Sequence, residues 1–185
     1  MSDMTKLKEA MGDLDEDVVV EIIDQVLADG GADAQAAVDA CSEGMNIVGD
    51  RFGAGDENTG KSEKILLATV KDDLHDIGKN IVKAFFEAAG FEVVDLGIDV
   101  PPEKIVNTAK EQGIKIIALT GVLTLALDSM KATVDAFIAA GMRDDVKILI
   151  GGNPVSAEAC ESMKADAWAH SPADSVNICR NWAGM

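Results

Sequence analysis

Tyrosine is absent from the 185-residue chain, and aromatics amount to only 4%, with five Phe and two Trp. A platform on which nucleic-acid bases stack is not expected from so few rings. Basic residues are also scarce: 16 Lys and Arg stand against 33 Asp and Glu, a formal charge of −17. Such a surface repels phosphate backbones, which argues against nucleic-acid binding. No apolar run approaches the ~18 to 20 residues of a membrane span, and the first residues lack a signal-peptide core. Cysteine occurs three times, at Cys41, Cys160 and Cys179, too few and too far apart for a disulfide framework or a zinc knuckle. The expected setting is therefore a reducing cytoplasm, away from membranes.

What is present is an ordinary globular composition, 48% hydrophobic and 26% charged. Its pattern changes near residue 60. Before that point the apolar spacing is helical: Val18, Ile22, Ile23, Val26 and Leu27 form one stripe, behind the acidic run Asp15-Glu16-Asp17 that suits a helix start. Gly30-Gly31 ends it. A second stripe carries Ala37, Val38, Cys41, Met45 and Val48, and a weaker helix is expected around Lys6 to Met11. After Gly60 strand and helix alternate. Strands are expected over 65–70, 91–96, 114–119, 146–150 and near Ala167-Trp168, with helices after each. The first strand is a continuous apolar run, as in a parallel strand buried on both faces. This predicts an α/β fold, a doubly wound five-stranded parallel sheet in the order 2-1-3-4-5.

In such a sheet ligands bind beyond the C-terminal strand ends, where the strand order reverses. The loops after strands one, three and four meet there. They read Asp72-Asp73-Leu74-His75-Asp76-Ile77-Gly78, Thr120-Gly121-Val122-Leu123-Thr124 and Gly151-Gly152-Asn153-Pro154. His75 is one of two histidines. Asp73, two residues earlier, can accept a hydrogen bond from one imidazole nitrogen and leave the other for a metal. No further His or Cys lies within ligand spacing, so a cofactor would have to complete the coordination. Gly78, Gly151 and Gly152 can be plain turn residues or places of close approach to a ligand, and Thr120 and Thr124 offer hydroxyls.

Residues 55–62 match the phosphate-loop pattern G-x-x-x-x-G-K-[ST], but a helix precedes them and a strand follows. That inverts the strand–loop–helix order the motif needs, so a polar linker is the expected reading. Asp72-Asp73 at a strand end also suggests a phospho-receiver, but Thr120 stands where a receiver would end its third strand in Asp.

Asp73-x-His75-x-x-Gly78, then Thr120-x-Val122 and Gly151-Gly152, resembles the DxHxxG…SxL…GG signature of cobalamin-binding domains. The runs Ala68-Thr69-Val70-Lys71, Leu74-His75-Asp76-Ile77-Gly78-Lys79-Asn80-Ile81-Val82 and Asp95-Leu96-Gly97-Ile98-Asp99-Val100-Pro101 are similar to the cobalamin module of methionine synthase. They are closer still to the small corrinoid proteins of methyltransferase systems. The resemblance implies a partial helical cap over residues 1–60 and a flavodoxin-like cobalamin-binding domain over residues 61–185. It further implies that cobalamin, methylcobalamin or a related corrinoid, binds base-off. His75 would be the lower cobalt ligand, Asp73 its hydrogen-bond partner, and the cofactor's tail would run toward Gly151-Gly152. Asp72, Leu74, Asp76, Gly78, Thr120, Val122, Thr124, Trp168 and Pro172 complete the expected contacts.

As implied function, the chain carries a methyl group from a substrate-specific methyltransferase to a second, methyl-accepting one, with a reductive activator in attendance and little turnover alone. A cobalamin sensor or store without methyl traffic is the alternative. Four departures stand out. Asp72 replaces a common Gly, Thr120 and Val122 replace Ser and Leu, and Ala126 falls where a relay serine is found in methionine synthase. The cap also reads as shortened, which suggests that a second copy completes the shield over the cofactor.

Overall fold

In the computed structural model, residues 3–13, 15–53 and 63–185 are described, and the chain forms two compact units, Met1–Asn58 and Thr59–Met185. The phosphate-loop match at 55–62 lies outside the described residues. The first unit holds helices α1 (Met4–Asp13), α2 (Glu16–Ala28) and α3 (Ala34–Gly53). Asp15 caps α2 by accepting the Val18 amide at 3.2 Å, which satisfies one of the otherwise unpaired N–H groups of the first turn. Leu7, Ile22, Val26, Ala37 and Ala40 form the core.

The stripe of α3 holds at Ala37 and Cys41, which belong to or pack against this core, and departs at Val38. Ala37 and Ala40 are buried while Val38 is 37% exposed. At Gly44 a Cβ would press on the side chain of Met11 and come within 2.6 Å of the Lys8 carbonyl. Helices α1 and α3 approach closely there, and such an approach selects the face of small residues.

The second unit alternates β1 (Lys64–Thr69), α4 (Ile77–Ala88), β2 (Glu92–Asp95), α5 (Pro102–Gln112), β3 (Ile116–Thr120), α6 (Ala126–Ala139), β4 (Lys147–Gly151), α7 (Ala157–Met163), β5 (Ala167–Ala169) and α8 (Pro172–Ala183). All five strands are parallel in the order β2-β1-β3-β4-β5, as the pattern predicts. Alternate residues of the inner strands face opposite layers. Leu66, Ala68, Ile117, Leu119 and Ile148 pack with Ile105 of α5 and Met130, Val134 and Phe137 of α6. Ile65, Leu67, Ala118 and Leu149 pack with Phe86 of α4 and Val176 and Cys179 of α8. Both faces being apolar explains why these strands read as uninterrupted hydrophobic runs.

Ser156 and Ser171 cap α7 and α8 by accepting the amides of Ala159 and Asp174. Helix α6 starts at Ala126, and a 3-10 turn at Arg143–Asp145 precedes β4. Among the described residues no helix is long and apolar enough to cross a membrane.

Candidate functional site

Register brings the three loops together. Thr69 of β1 is level with Thr120 of β3, and Thr120 with Gly151 of β4. The loop after β1 holds Asp73, which is fully buried. Its Oδ1 accepts the His75 amide at 3.0 Å and pairs with His75 Nδ1 at 2.7 Å. Its Oδ2 accepts the amides of Val122 at 2.7 Å and Leu123 at 3.1 Å. Burial alone would push this carboxyl up. The amides of His75, Val122 and Leu123, with the imidazole, override it and hold the group down at about 2. An ionised Asp73 offers only accepting oxygens, so Nδ1 is the donor of this pair and Nε2 is the ring nitrogen turned away from it. No hydrogen bond to Nε2 forms among the described residues, and the side chain is 49% exposed.

Asp73 thereby clamps the histidine loop onto the β3–α6 loop. A second tie lies below it: Thr69 Oγ1 donates to the His75 carbonyl at 3.0 Å and meets Thr120 Oγ1 at 2.9 Å. The hydroxyl of Thr120 is thus part of the support for the histidine backbone. Ala126 is buried, and its Cβ fills the space a side chain on Gly121 would need. Where a serine relay would end, Asp73 is met by backbone amides.

Beside His75 opens a cavity of about 250 Å³ between the sheet and helices α4 and α8. Gly78, Thr120, Val122, Gly151, Gly152 and Pro172 are among the residues that line it. Gly78 borders open space, since a Cβ there would meet nothing within 4 Å. Gly152 has a different reason. It adopts φ +123, and a Cβ there would collide with the carbonyl of Gly121, where the two loops pack backbone to backbone.

The remaining candidates lie elsewhere. Leu74 is 68% exposed and does not line the cavity. Asp72 is exposed at φ 65, and Asp76 is exposed at the start of α4 without a capping bond from its side chain. Thr124 is exposed and does not line the cavity. Trp168, 39% exposed on edge strand β5, meets the ring of His170 edge-on at 5.1 Å and borders a separate hollow.

Sequence reasoning missed Lys79, His170, Ser171 and Ser175 of the cavity wall. Lys79 is 3% exposed, and its Nζ lies 2.7 Å from Asp95 Oδ2 and 2.7 Å from Asn80 Oδ1. A lysine in the first turn of a helix carries no sign of burial; the polar end of strand two, at Asp95, was the available hint.

Residues 63–175 match the model of the B12 binding domain, and residues 4–57 match a second B12 binding domain model. The chain belongs to the B12-binding corrinoid proteins. It is 31% identical to a corrinoid protein of Desulfitobacterium hafniense (strain Y51), over 100% of this chain and 99% of the other. It is 32% identical to trimethylamine corrinoid protein 1 of Methanosarcina acetivorans, over 96% and 95%. A crystal structure of a cobalamin-binding protein from Desulfitobacterium hafniense DCB-2 aligns with TM-score 0.65 and 46% identity, covering 97% of this chain and 98% of that one. The monomethylamine corrinoid protein of Methanosarcina barkeri aligns with TM-score 0.68 and 25% identity, covering 95% and 96%.

The cofactor of this corrinoid protein is cobalamin or a related corrinoid. The residues present fit it: an imidazole anchored through Nδ1, exposed apolar side chains at Leu74, Val122 and Leu123 in the two loops that Asp73 ties together, and an adjoining cavity lined by His75 and Gly78.

Proposed function

We propose that this corrinoid protein carries a methyl group between two methyltransferases, one specific for a methylated substrate and one that passes the methyl to a tetrahydrofolate-type or thiol acceptor. His75 Nε2 serves as the lower axial cobalt ligand in place of the cofactor's own base. The observation that carries this reading is the anchored imidazole: Nδ1 is held by a buried, ionised Asp73 beside a cavity suited to a displaced tail. When bound, the cobalt supplies the centre that takes up and releases the methyl group.

The chain's own work is to bind and orient. Asp73 fixes the ring plane of His75 through Nδ1 and leaves Nε2 for the metal. Gly78 leaves room beside α4 for the tail, and the exposed side chains of Leu74, Val122 and Leu123 offer an apolar seat for the macrocycle. The trimethylamine and monomethylamine corrinoid proteins among its relatives support partnership with a methyl-donor methyltransferase. A reductive activator, which would restore cobalt after oxidation, belongs to the same reading. Residues 1–60 act as a cap and residues 61–185 as the cofactor domain. Cys41, Cys160 and Cys179 are free thiols, which suits a reducing cytoplasm.

The test is reconstitution with hydroxocobalamin. The full chain should retain about one equivalent through gel filtration, while ATP should not be retained. His75→Ala should then change the visible and electron paramagnetic spectra more than Asp73→Asn. Methyl transfer with a cognate methyltransferase pair distinguishes a carrier from a store: bound cobalamin that is never methylated by any donor enzyme overturns the carrier reading.

A further inference from the structure

The turn between β2 and α5 runs beside the histidine loop and continues the β1–β2 pairing past the strand ends. Thr69 N donates to Gly97 O at 3.0 Å, Val100 N donates to Thr69 O at 3.1 Å, and Val70 and Val100 form an isolated parallel bridge. Past that bridge the turn reaches the residues around Asp73. Asp99 N donates to the Asp73 carbonyl at 3.1 Å, and Asp99 Oδ1 accepts the Asp72 amide at 2.8 Å. Both partners in the second bond are left-handed, Asp72 at φ 65 and Asp99 at φ 51. Among the described non-glycine residues only Lys164, which ends α7, shares that conformation. Two uncommon conformations that face and bond each other persist only where tertiary contacts over-determine the backbone.

The same turn also grips the histidine loop from its other end. Asp95 Oδ1 accepts the Gly97 amide at 2.9 Å, while Asp95 Oδ2 pairs with buried Lys79 at 2.7 Å. His75 therefore sits between two anchor points, Asp72 before it and Lys79 after it, both tied to one turn. Among the described residues neither anchor forms a hydrogen bond to the imidazole.

We propose that Asp99 is a positioning residue for His75. Its carboxylate holds the Asp72 amide and its own amide holds the Asp73 carbonyl. Together they set the backbone from which the Asp73 side chain aims the imidazole. This rests on the reading of His75 as axial ligand and deepens it: the aim of the ligand is set from a separate loop.

The experiment uses the full chain loaded with cobalamin, as parent, His75→Ala, Asp99→Gly and Asp99→Asn. Glycine adopts the left-handed backbone at no steric cost, so Asp99→Gly removes the carboxylate without straining the turn. Asparagine tolerates the same conformation and keeps an accepting oxygen. Two quantities are read: the axial-nitrogen hyperfine structure in the paramagnetic resonance of the cobalt(II) form, and the rate of cobalamin loss on dilution.

In His75→Ala the histidine hyperfine pattern should vanish. Asp99→Gly should broaden it and speed cobalamin loss roughly threefold to tenfold, as for one lost hydrogen bond. Asp99→Asn should return both toward the parent. Asp99→Ser, too short to reach the Asp72 amide, should show the same loss if the glycine variant does not fold. A sharp parental pattern in Asp99→Gly or Asp99→Ser overturns the proposal, and so does a folded Asp99→Asn that behaves like the glycine variant. An unchanged pattern in His75→Ala instead overturns the ligand reading, and Asp99's role falls with it.

Discussion

Four donors converge on the carboxylate of Asp73, and three of them are backbone amides. That geometry fixes a charge where water does not reach, and it is the reason a single imidazole can be held in one orientation. Glycine plays the opposite part at two positions. Gly152→Ala would drive a Cβ into the Gly121 carbonyl from a backbone at φ +123. We expect a loss of about 3 kcal/mol or more in urea unfolding, with cobalamin retention falling as the loops separate. A variant within about 1 kcal/mol of the parent would mean that the loops can part freely. Asp72 is the reverse case, a side chain placed where glycine is at ease, at φ 65. Asp72→Gly keeps the amide that Asp99 accepts and relieves the left-handed strain, so stability should stay level or rise by up to about 1 kcal/mol. A clear loss would show that the Asp72 side chain has a partner of its own.

Helix α4 and strand β2 are joined by an ion pair that is nearly out of water, with Lys79 4% and Asp95 19% exposed at the side chain. Burial pushes Asp95 up, but the Lys79 ammonium, the Gly97 amide and the charge of Lys83 outweigh it, so its carboxyl lies below the ordinary 3.8. A carboxyl lowered in the folded state contributes stability that is fully present above its unfolded value. That contribution is lost as pH falls through the folded value. The acid limb of stability below about pH 4 should therefore flatten in Asp95→Asn, as read by denaturant midpoints between pH 3 and 7. At neutral pH the same change leaves Lys79 without its counter-charge and should cost about 2 to 4 kcal/mol. Lys79→Met combined with Asp95→Leu should recover much of that loss, because an apolar pair carries no desolvation penalty. An acid limb identical to the parent's would show that Asp95 is not held low.

For the molecule as a whole, cobalamin should act as a folding ligand. At a free concentration about one hundredfold above its dissociation constant, binding to the folded state alone adds about 2.7 kcal/mol. Thermal midpoints should therefore climb with cobalamin concentration and fall back in Gly152→Ala. The helical unit raises a separate question, since Val20, Leu27 and Val38 are 50%, 66% and 37% exposed. We propose that a second copy covers them, so the full chain should sediment as a dimer at tens of micromolar, a free energy of roughly −6 to −7 kcal/mol. A monomer at that concentration rules this out.

Most of the architecture is written in local patterns. Uninterrupted apolar runs specify buried parallel strands, and right-handed crossovers leave few strand orders, so the sheet and its ligand edge follow from the sequence alone. Asp73, His75 and Gly78 are legible for the same reason, because their spacing is short and lies at a strand end. Contacts between residues far apart in sequence are not legible in this way. The amides of Val122 and Leu123 on Asp73, the hydroxyl of Thr69 under His75 and the pairing of Lys79 with Asp95 all join separate loops or elements. Only strand register decides that they meet. Gly44 makes the same point in the helical unit: the periodicity of α3 leaves several faces open, and the close approach of α1 chooses the one that is buried. The sequence by itself determined the sheet, the strand-end loops and the imidazole with its carboxylate. The tertiary structure decided how that imidazole is held, because its supports come from loops that touch only when the chain is folded.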